Sequence, residues 1–277
     1  MGILKPQILS DRIVSELKNG SQRGPALMEI LDRSSQKYTK QALYAALRQL
    51  IKDDVVVKHR GRYSLNTTWI LQLQSFVHDA ARQYDVVQGG SEILSLTDGE
   101  SVSYVFTNSH TLDTFWGHAQ NVLLEHTAPS EAVYAYDPHY WFVIAHQDTE
   151  RTLLKHIVES KRQFLMAVGG TNALDKLIAK EFDGTYSQYA YVPQNSDNTQ
   201  YVSTIGPYII SVELDQKIAD RVENLFKTAT ASTSTVVSEL RSLLSVRSKN
   251  KIKITLSTRK AARIRASLKK YFYIKKS

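Results

Sequence analysis

The sequence predicts an α/β protein of more than one domain, and three observations carry that expectation. The first 66 residues hold three helical patterns and then two short β-rich runs about a glycine. From about residue 100, β-rich runs alternate with amphipathic helical patterns, as in layered packing of sheet and helix. At 277 residues the chain is also long for a single core. The expected segments are 1–66, a connector at 67–99, an α/β domain at 100–227, and a linker with a basic tail at 228–277.

In the first segment, Ile8, Ile13, Val14 and Leu17 fall near helical spacing up to Asn19-Gly20, a helix stop. Gly24-Pro25 opens a second short helix bearing Leu27, Met28, Ile30 and Leu31, since proline fits a first turn whose N–H is not needed. Ser34-Ser35-Gln36 breaks the pattern. Thr39 is the expected N-cap of a third helix to about Asp53, with Leu43, Ala46, Leu47, Leu50 and Ile51 as its apolar stripe. Two short strands follow, 55–59 and 63–65, about Arg60-Gly61-Arg62, whose glycine is free to take positive φ.

Three helices and a hairpin in about 60 residues is the winged helix-turn-helix plan, in which the third helix enters the DNA major groove. Lys40, Tyr44 and Arg48 recur every four residues opposite the apolar stripe, with Gln41 beside them and Lys37 and Thr39 just ahead. Arg and Gln can each read a base edge through two hydrogen bonds. Lys58, Arg60 and Arg62 in the hairpin suit phosphates, which position a protein without reading sequence. The competing reading is a protein-interaction module with solvated cations.

The run Tyr44-Ala-Ala-Leu47-Arg48-Gln-Leu50 resembles the recognition helix of PadR-type and other winged-helix transcription regulators, and the strand–Arg-Gly-Arg–strand wing is similar to theirs. The departure is Asp53-Asp54, where many of these proteins place a glycine between helix and wing. The resemblance covers about a quarter of the chain and implies double-stranded DNA as partner.

In the connector, Thr67-Thr68 caps a further helix to about Tyr84, carrying Trp69, Ile70, Leu73, Phe76, Val77, Ala80 and Ala81, with Asp79 and Arg82 its only charges. It either packs on a copy of itself in a homodimer, because two half-sites call for two modules, or caps the core of the second domain.

The α/β domain reads as strand 101–106, helix 112–125, and strands 132–136 and 140–145 as a hairpin about Asp137-Pro138-His139. Helix 149–160, strand 164–168 and helix 173–182 follow, then strands 187–192, 201–205 and 208–214, and helix 216–227. Six of the eight histidines lie between residues 110 and 156, but none forms the H-E-x-x-H pattern of a zinc helix. His118, His139 and His146 either converge on a ligand or are scattered surface groups. Gly169-Gly170-Thr171-Asn172 sits between strand and helix, where N–H groups can hold an anion, yet lacks the Lys-Ser/Thr of a P-loop and the third glycine of a dinucleotide fingerprint. No G-x-S-x-G elbow is present, and the absence of cysteine excludes disulfides, thiolate metal sites and cysteine nucleophiles. Phe115, Trp116, Tyr134, Tyr136, Tyr140, Trp141 and Phe142 are either core or the lining of a small-molecule pocket. No catalytic residue, metal or cofactor is therefore expected.

The order of these elements, and the stretch from Tyr201 to Leu214 followed by an Asp-initiated helix, resembles the effector domains of TrmB-type regulators, which are similar in fold to phospholipase D. Catalysis in that fold needs His-x-Lys, and no histidine here has a lysine two positions on. The resemblance thus implies an inactive, sensing domain.

In the tail, 228–235 is low-complexity, 236–246 suits a helix, and Lys251-Ile-Lys-Ile-Thr-Leu256 alternates as a strand with its lysines to water. Ser257 or Thr258 caps a last helix, 259–273, with Ala261, Ile264, Leu268 and Tyr271 as its stripe. Arg259, Lys260, Arg263, Arg265, Lys269 and Lys270 form a possible second basic surface. Charge is strongly segregated: 12 Lys/Arg against 6 Asp/Glu in 1–66, 10 against 21 in 67–240, and 13 against none in 241–277. The tail therefore lies along DNA phosphates or docks on the acidic middle; its narrow stripe argues against lipid.

These observations together predict a dimeric DNA-binding transcription regulator whose α/β domain senses a small molecule or protein. The rivals are a nucleic-acid-processing enzyme and a winged-helix interaction module. No run approaches the roughly 20 apolar residues of a membrane span, and MGILKPQILSDR lacks the layout of a secretory signal. A cytoplasmic protein is expected.

Overall fold

The computed structural model describes residues 8–33, 37–83, 91–193, 197–231 and 233–273. The N-terminal stretch before Ile8, the Ser34-Ser35-Gln36 break, the expected helix end near Tyr84, and the side chains of Ala81 and Arg82 lie outside the description. The chain mixes helices and sheets, as the α/β class requires, and divides into two units, Met1–Val87 and Gln88–Ser277.

The first unit runs α1 (Leu9–Leu17), β1 (Gln22–Arg23), α2 (Gly24–Asp32), α3 (Lys40–Lys52), β2 (Val56–His59), β3 (Arg62–Leu65) and α4 (Thr67–Gln83). Its antiparallel sheet has the order β1-β3-β2. Ile13, Val14, Leu17, Leu27, Leu31, Leu43, Leu47, Leu50 and Tyr63 form one buried cluster, so the three helical stripes face a common core. Ile51, expected in the stripe of α3, is 36 % exposed, because the step from Leu50 turns it about 100° off the buried face. Thr39 caps α3 by accepting from the Ala42 N–H at 3.1 Å.

α3 ends on Asp54 in the left-handed conformation (φ 57°). The Asp54 N–H donates to the Ile51 carbonyl (3.1 Å) and the Val55 N–H to that of Leu50 (2.9 Å), the closing pattern usually built on glycine. In the hairpin, Arg60 (φ 47°) and Gly61 (φ 75°) are both left-handed, as the twist of a two-residue hairpin turn demands.

The second unit runs α5 (Ser91–Leu94), β4 (Ser101–Phe106), α6 (Ser109–His126), β5 (Val133–Asp137), α7 (Phe142–Ala145), α8 (Gln147–Glu159) and β6 (Phe164–Val168). It continues through α9 (Ala173–Ile178), β7 (Ser187–Tyr191), β8 (Gln200–Ile205), β9 (Tyr208–Glu213), α10 (Gln216–Thr228), α11 (Ser234–Leu244), β10 (Asn250–Leu256) and α12 (Thr258–Lys269). The seven strands form one mixed sheet in the order β4-β10-β9-β8-β5-β6-β7, parallel only across β5-β6-β7. One face carries the main core, which includes Leu112, Trp116, Trp141, Phe142, Ile210, Phe226 and Ile252. The other face buries Tyr134, Tyr136, Leu165 and Ala167 against Leu268 of α12.

Several expectations are corrected here. Residues 140–145 form a turn and then α7, not the second strand of a hairpin; β5 pairs instead with β6 and β8. The run is buried on every side (Trp141 0 %, Ala145 3 % exposed), and a short wholly apolar run has no period to separate strand from helix. The helix expected at 173–182 stops at Ile178 and finishes in a single 3₁₀ turn, Ala179–Glu181. Segment 228–277 belongs to the second unit, with β10 inside its sheet between β4 and β9. Tyr271, expected in the stripe of the last helix, follows the end of α12 and is 36 % exposed. The expected aromatic cluster is divided between the two faces of the sheet.

Candidate nucleic-acid interface

α3 buries Leu43, Leu47 and Leu50 and leaves Lys40, Gln41, Tyr44 and Arg48 exposed, with Lys37 exposed at its entry. The stripe fixes the helix on its core, so the polar face is held rigid from behind. Tyr44 lies over Gly24 at the start of α2: a β-carbon there would stand 2.5 Å from the phenol oxygen. Only glycine lets that ring lean back. Thr39, a candidate contact, spends its hydroxyl oxygen on the cap of α3.

The three hairpin cations differ in their surroundings. Arg60 is exposed at the turn. The Lys58 ammonium lies 5.4 Å from the centre of the Tyr63 ring, on the paired strand. Arg62 donates through Nε to Ser21 Oγ (2.9 Å) and through a second N–H to the Ser21 carbonyl, tying β3 to the start of β1.

On α12, the six cations expected as one surface divide. Lys260 and Arg263 line a cleft against the sheet. Arg265 donates to the Gly206 carbonyl, and the Lys270 ammonium stands 4.9 Å from the Tyr271 ring centre. Arg259 and Lys269 are exposed.

The three histidines considered for a common ligand do not meet. His146 Nδ1 bonds to Asp113, and His146 Nε2 stands 3.1 Å from His110 Nδ1. The bond to Asp113 is the main cause that raises the His146 pKa. This pair opens on a surface cleft of about 460 Å³ that Arg241 and Ser245 also line. His139 instead lies between Asp175 (2.9 Å) and Glu223 (3.1 Å), its ring stacked 4.3 Å from Phe226. Burial pushes Glu223 up, but Lys227 and His139 outweigh it and leave its pKa lowered. The His118 ring centre stands 6.4 Å from that of Phe115, away from both other histidines' partners. Among the described residues, no group of three or more His, Asp or Glu is placed to hold a metal ion.

The glycine turn is already filled. Its Gly169 and Gly170 N–H groups donate to the Asp137 and Pro138 carbonyls, each at 3.0 Å, and Asn172 N–H donates to the Asp175 carboxylate at 3.0 Å. That carboxylate stands where an anion would sit. Nearby, Tyr140 donates to buried Glu150 beside an internal cavity of about 20 Å³, which has room for about one water. Burial, then Glu150, raises Asp137 well above the usual carboxylate range. Sequence reasoning missed Asp113, Glu150, Asp175 and Glu223. The one available signal was the i, i+3 spacing of His110 and Asp113, which puts both on one helix face.

No family model matches the chain, and no curated protein matches it. Among solved structures it is similar to TrmBL2, an archaeal chromatin protein whose structure shows a novel mode of DNA binding. The TM-score is 0.34 at 9 % identity, over 98 % of this chain and 94 % of that one. A likeness of this size assigns nothing to particular residues. No helix among the described residues is long and apolar enough to cross a membrane.

Proposed function

We propose that the chain is a dimeric DNA-binding transcription regulator, with a winged helix-turn-helix in its first unit and a sensing role for its α/β unit. The carrying observation is the polar face of α3: Lys40, Gln41, Tyr44 and Arg48 are exposed on one side while Leu43, Leu47 and Leu50 are buried on the other. In this reading Arg48 and Gln41 read base edges, while Lys37, Lys58 and Arg60 meet phosphates. The PadR-like and TrmB-like resemblances belong to this reading, as does a cytoplasmic location beside DNA. It assigns no catalytic step and no cofactor.

The dimer rests on α4. Ile70, Leu73, Val77 and Ala80 repeat at the alternating three- and four-residue spacing of a coiled-coil seam. Ile70, Phe76 and Val77 are 43 %, 70 % and 57 % exposed, an apolar stretch suited to a second copy of the helix. A ligand or partner on the α/β unit would then alter the spacing of two recognition helices.

The test is duplex binding across a salt series with the full chain, Arg48→Ala and Val77→Glu. Each phosphate contact adds about 0.9 to the slope of log affinity against log salt. Arg48→Ala should lose sequence preference by roughly tenfold or more, as for a lost two-bond base contact. Val77→Glu should scatter light as a monomer. No binding by the full chain at low salt would overturn the regulator.

One observation favours a second reading, a hydrolytic role: the chain of bonds from Asp113 through His146 to His110, beside Arg241. Nucleic-acid hydrolysis abolished in His146→Ala would support it. Wild-type protein that binds duplex and cuts nothing rejects it.

A further inference from the structure

α12 covers its face of the sheet unevenly. Ile264 and Leu268 pack on Tyr134, Tyr136 and Leu165, over β5 and β6. Toward β4 the same face turns polar: Lys253 of β10 stands between Ser211 of β9 and Ser103 of β4, with Thr255 two residues on. Between that floor and α12 runs an open cleft of about 620 Å³. Ser211, Lys253 and Thr255 line one side, and Lys260, Arg263 and Ser267 the other. The last three are spaced i, i+3 and i+7, so they share one face of α12.

Among the described residues no carboxylate lines this cleft, and residues 241–277 hold 13 Lys/Arg and no Asp/Glu. Of the acids nearby, Glu213 pairs with Lys251, and Asp98 accepts from the Thr258 N–H at the start of α12 (2.9 Å). Three cations facing one concavity repel one another, and an anion bound among them relieves that repulsion. A guanidinium offers paired N–H donors that match two phosphate oxygens, lysines add charge, and the Ser211 and Thr255 hydroxyls can donate to the remaining oxygens, while Ser267 donates to the Ile264 carbonyl at 2.7 Å. The volume falls in the range of small-ligand sites.

We propose that the cleft between β9–β10 and α12 is a phosphoryl-binding site for a small phosphorylated ligand, with Lys253, Lys260 and Arg263 as its cationic contacts. The site stands whether or not α3 reads DNA, and pyrophosphate binding by Arg48→Ala protein keeps the two readings separable. Where α3 does read DNA, this ligand class is what the α/β unit senses.

The experiment titrates inorganic pyrophosphate by calorimetry, and a DNA duplex by anisotropy, into the full chain and three variants: Lys253→Gln, Arg263→Gln and Arg259→Gln. All three positions are exposed, so melting temperatures should stay unchanged and loss of fold is separable from loss of binding. Saturable pyrophosphate binding that weakens tenfold or more in Lys253→Gln and Arg263→Gln, but not in Arg259→Gln, supports a free phosphorylated ligand. If pyrophosphate is ignored while the same two variants lose duplex affinity, the phosphoryl group is that of a nucleic-acid backbone and the small ligand is overturned. Equal binding of both probes by all four proteins, or binding of neither, overturns the site altogether.

Discussion

Tyr140 donates its phenol hydrogen to the Glu150 carboxylate inside the second unit, where both side chains are buried. Burial, then the charge of Asp113, raises the Glu150 carboxyl to about 7, and Asp113 raises His146 through their hydrogen bond. A raised pKa means the folded chain holds the proton more tightly than the unfolded one. The stabilisation from Glu150 is therefore complete below about pH 4, near the unfolded carboxyl value, and is lost as the pH climbs to about 7. That from His146 is lost above about pH 6.5, and Asp137, raised by burial, acts in the same direction as Glu150. Glu100, Asp183 and Asp197 are lowered and act only at more acid pH. The melting temperature of the second unit should fall between pH 5 and pH 8, and Glu150→Gln should flatten the fall. Calorimetric scans check this; a melting temperature that rises over that interval refutes it.

Arg60 and Arg62 flank one glycine, yet substitution should affect different properties. Arg62 holds Ser21 through two hydrogen bonds, whereas Arg60 is exposed at the turn. Arg62→Ala should cost about 1 kcal/mol of stability, the usual net worth of such bonds. Arg60→Gln should leave stability unchanged and reduce the salt slope of duplex binding by about 0.9. Denaturant midpoints and the salt series distinguish them; interchanged effects would show the assignment to be wrong.

What the sequence made legible follows from where each signal resides. The start of α3 was readable because Thr39 caps locally, and its exposed face because Lys40, Tyr44 and Arg48 recur at four residues. β1 was not: two residues have no period, and the strand exists through its pairing with β3. The role of Arg62 was hidden for the same reason, since Ser21 lies 41 residues away. The 140–145 run misled because burial on all sides erases the amphipathic pattern that separates helix from strand. The basic cleft needed both partners in place, for α12 showed its cations in the sequence while only the sheet register puts Lys253 beside Ser211.

Asp54 occupies the position where a glycine is ordinarily found, in the left-handed conformation and with a negative charge at a helix C-terminus. Both features oppose it: a side chain in that conformation costs about 1 kcal/mol, and the helix dipole disfavours an anion there. Glycine removes both but gives back some unfolded-state entropy. Asp54→Gly should therefore raise stability by about 0.5 kcal/mol and leave duplex affinity unchanged. Asp54→Val, branched at the β-carbon, should lower stability by about 1 kcal/mol or more. Denaturant titrations of the full chain decide it, and a loss of stability in Asp54→Gly would contradict the account.

Gly170 is needed for space. A β-carbon at this residue would stand 2.3 Å from both the Asp175 carboxylate and the His139 ring. Neither neighbour can retreat freely. Asp175 is wholly buried and holds both the Asn172 N–H (3.0 Å) and His139 (2.9 Å), and His139 in turn meets Glu223 at 3.1 Å. To admit a methyl group, the chain must separate a buried carboxylate from its imidazole or move the turn off the Pro138 carbonyl, which Gly170 N–H reaches at 3.0 Å. Either leaves a buried polar group without its partner, so Gly170→Ala should cost about 2–4 kcal/mol. For a unit of this size that is a drop of several degrees in melting temperature. Asp175→Asn keeps the shape and an oxygen to accept from Asn172, so its loss should be smaller than that of Gly170→Ala. If the two variants melt in the opposite order, the Asp175–His139 contact is not what makes glycine necessary here.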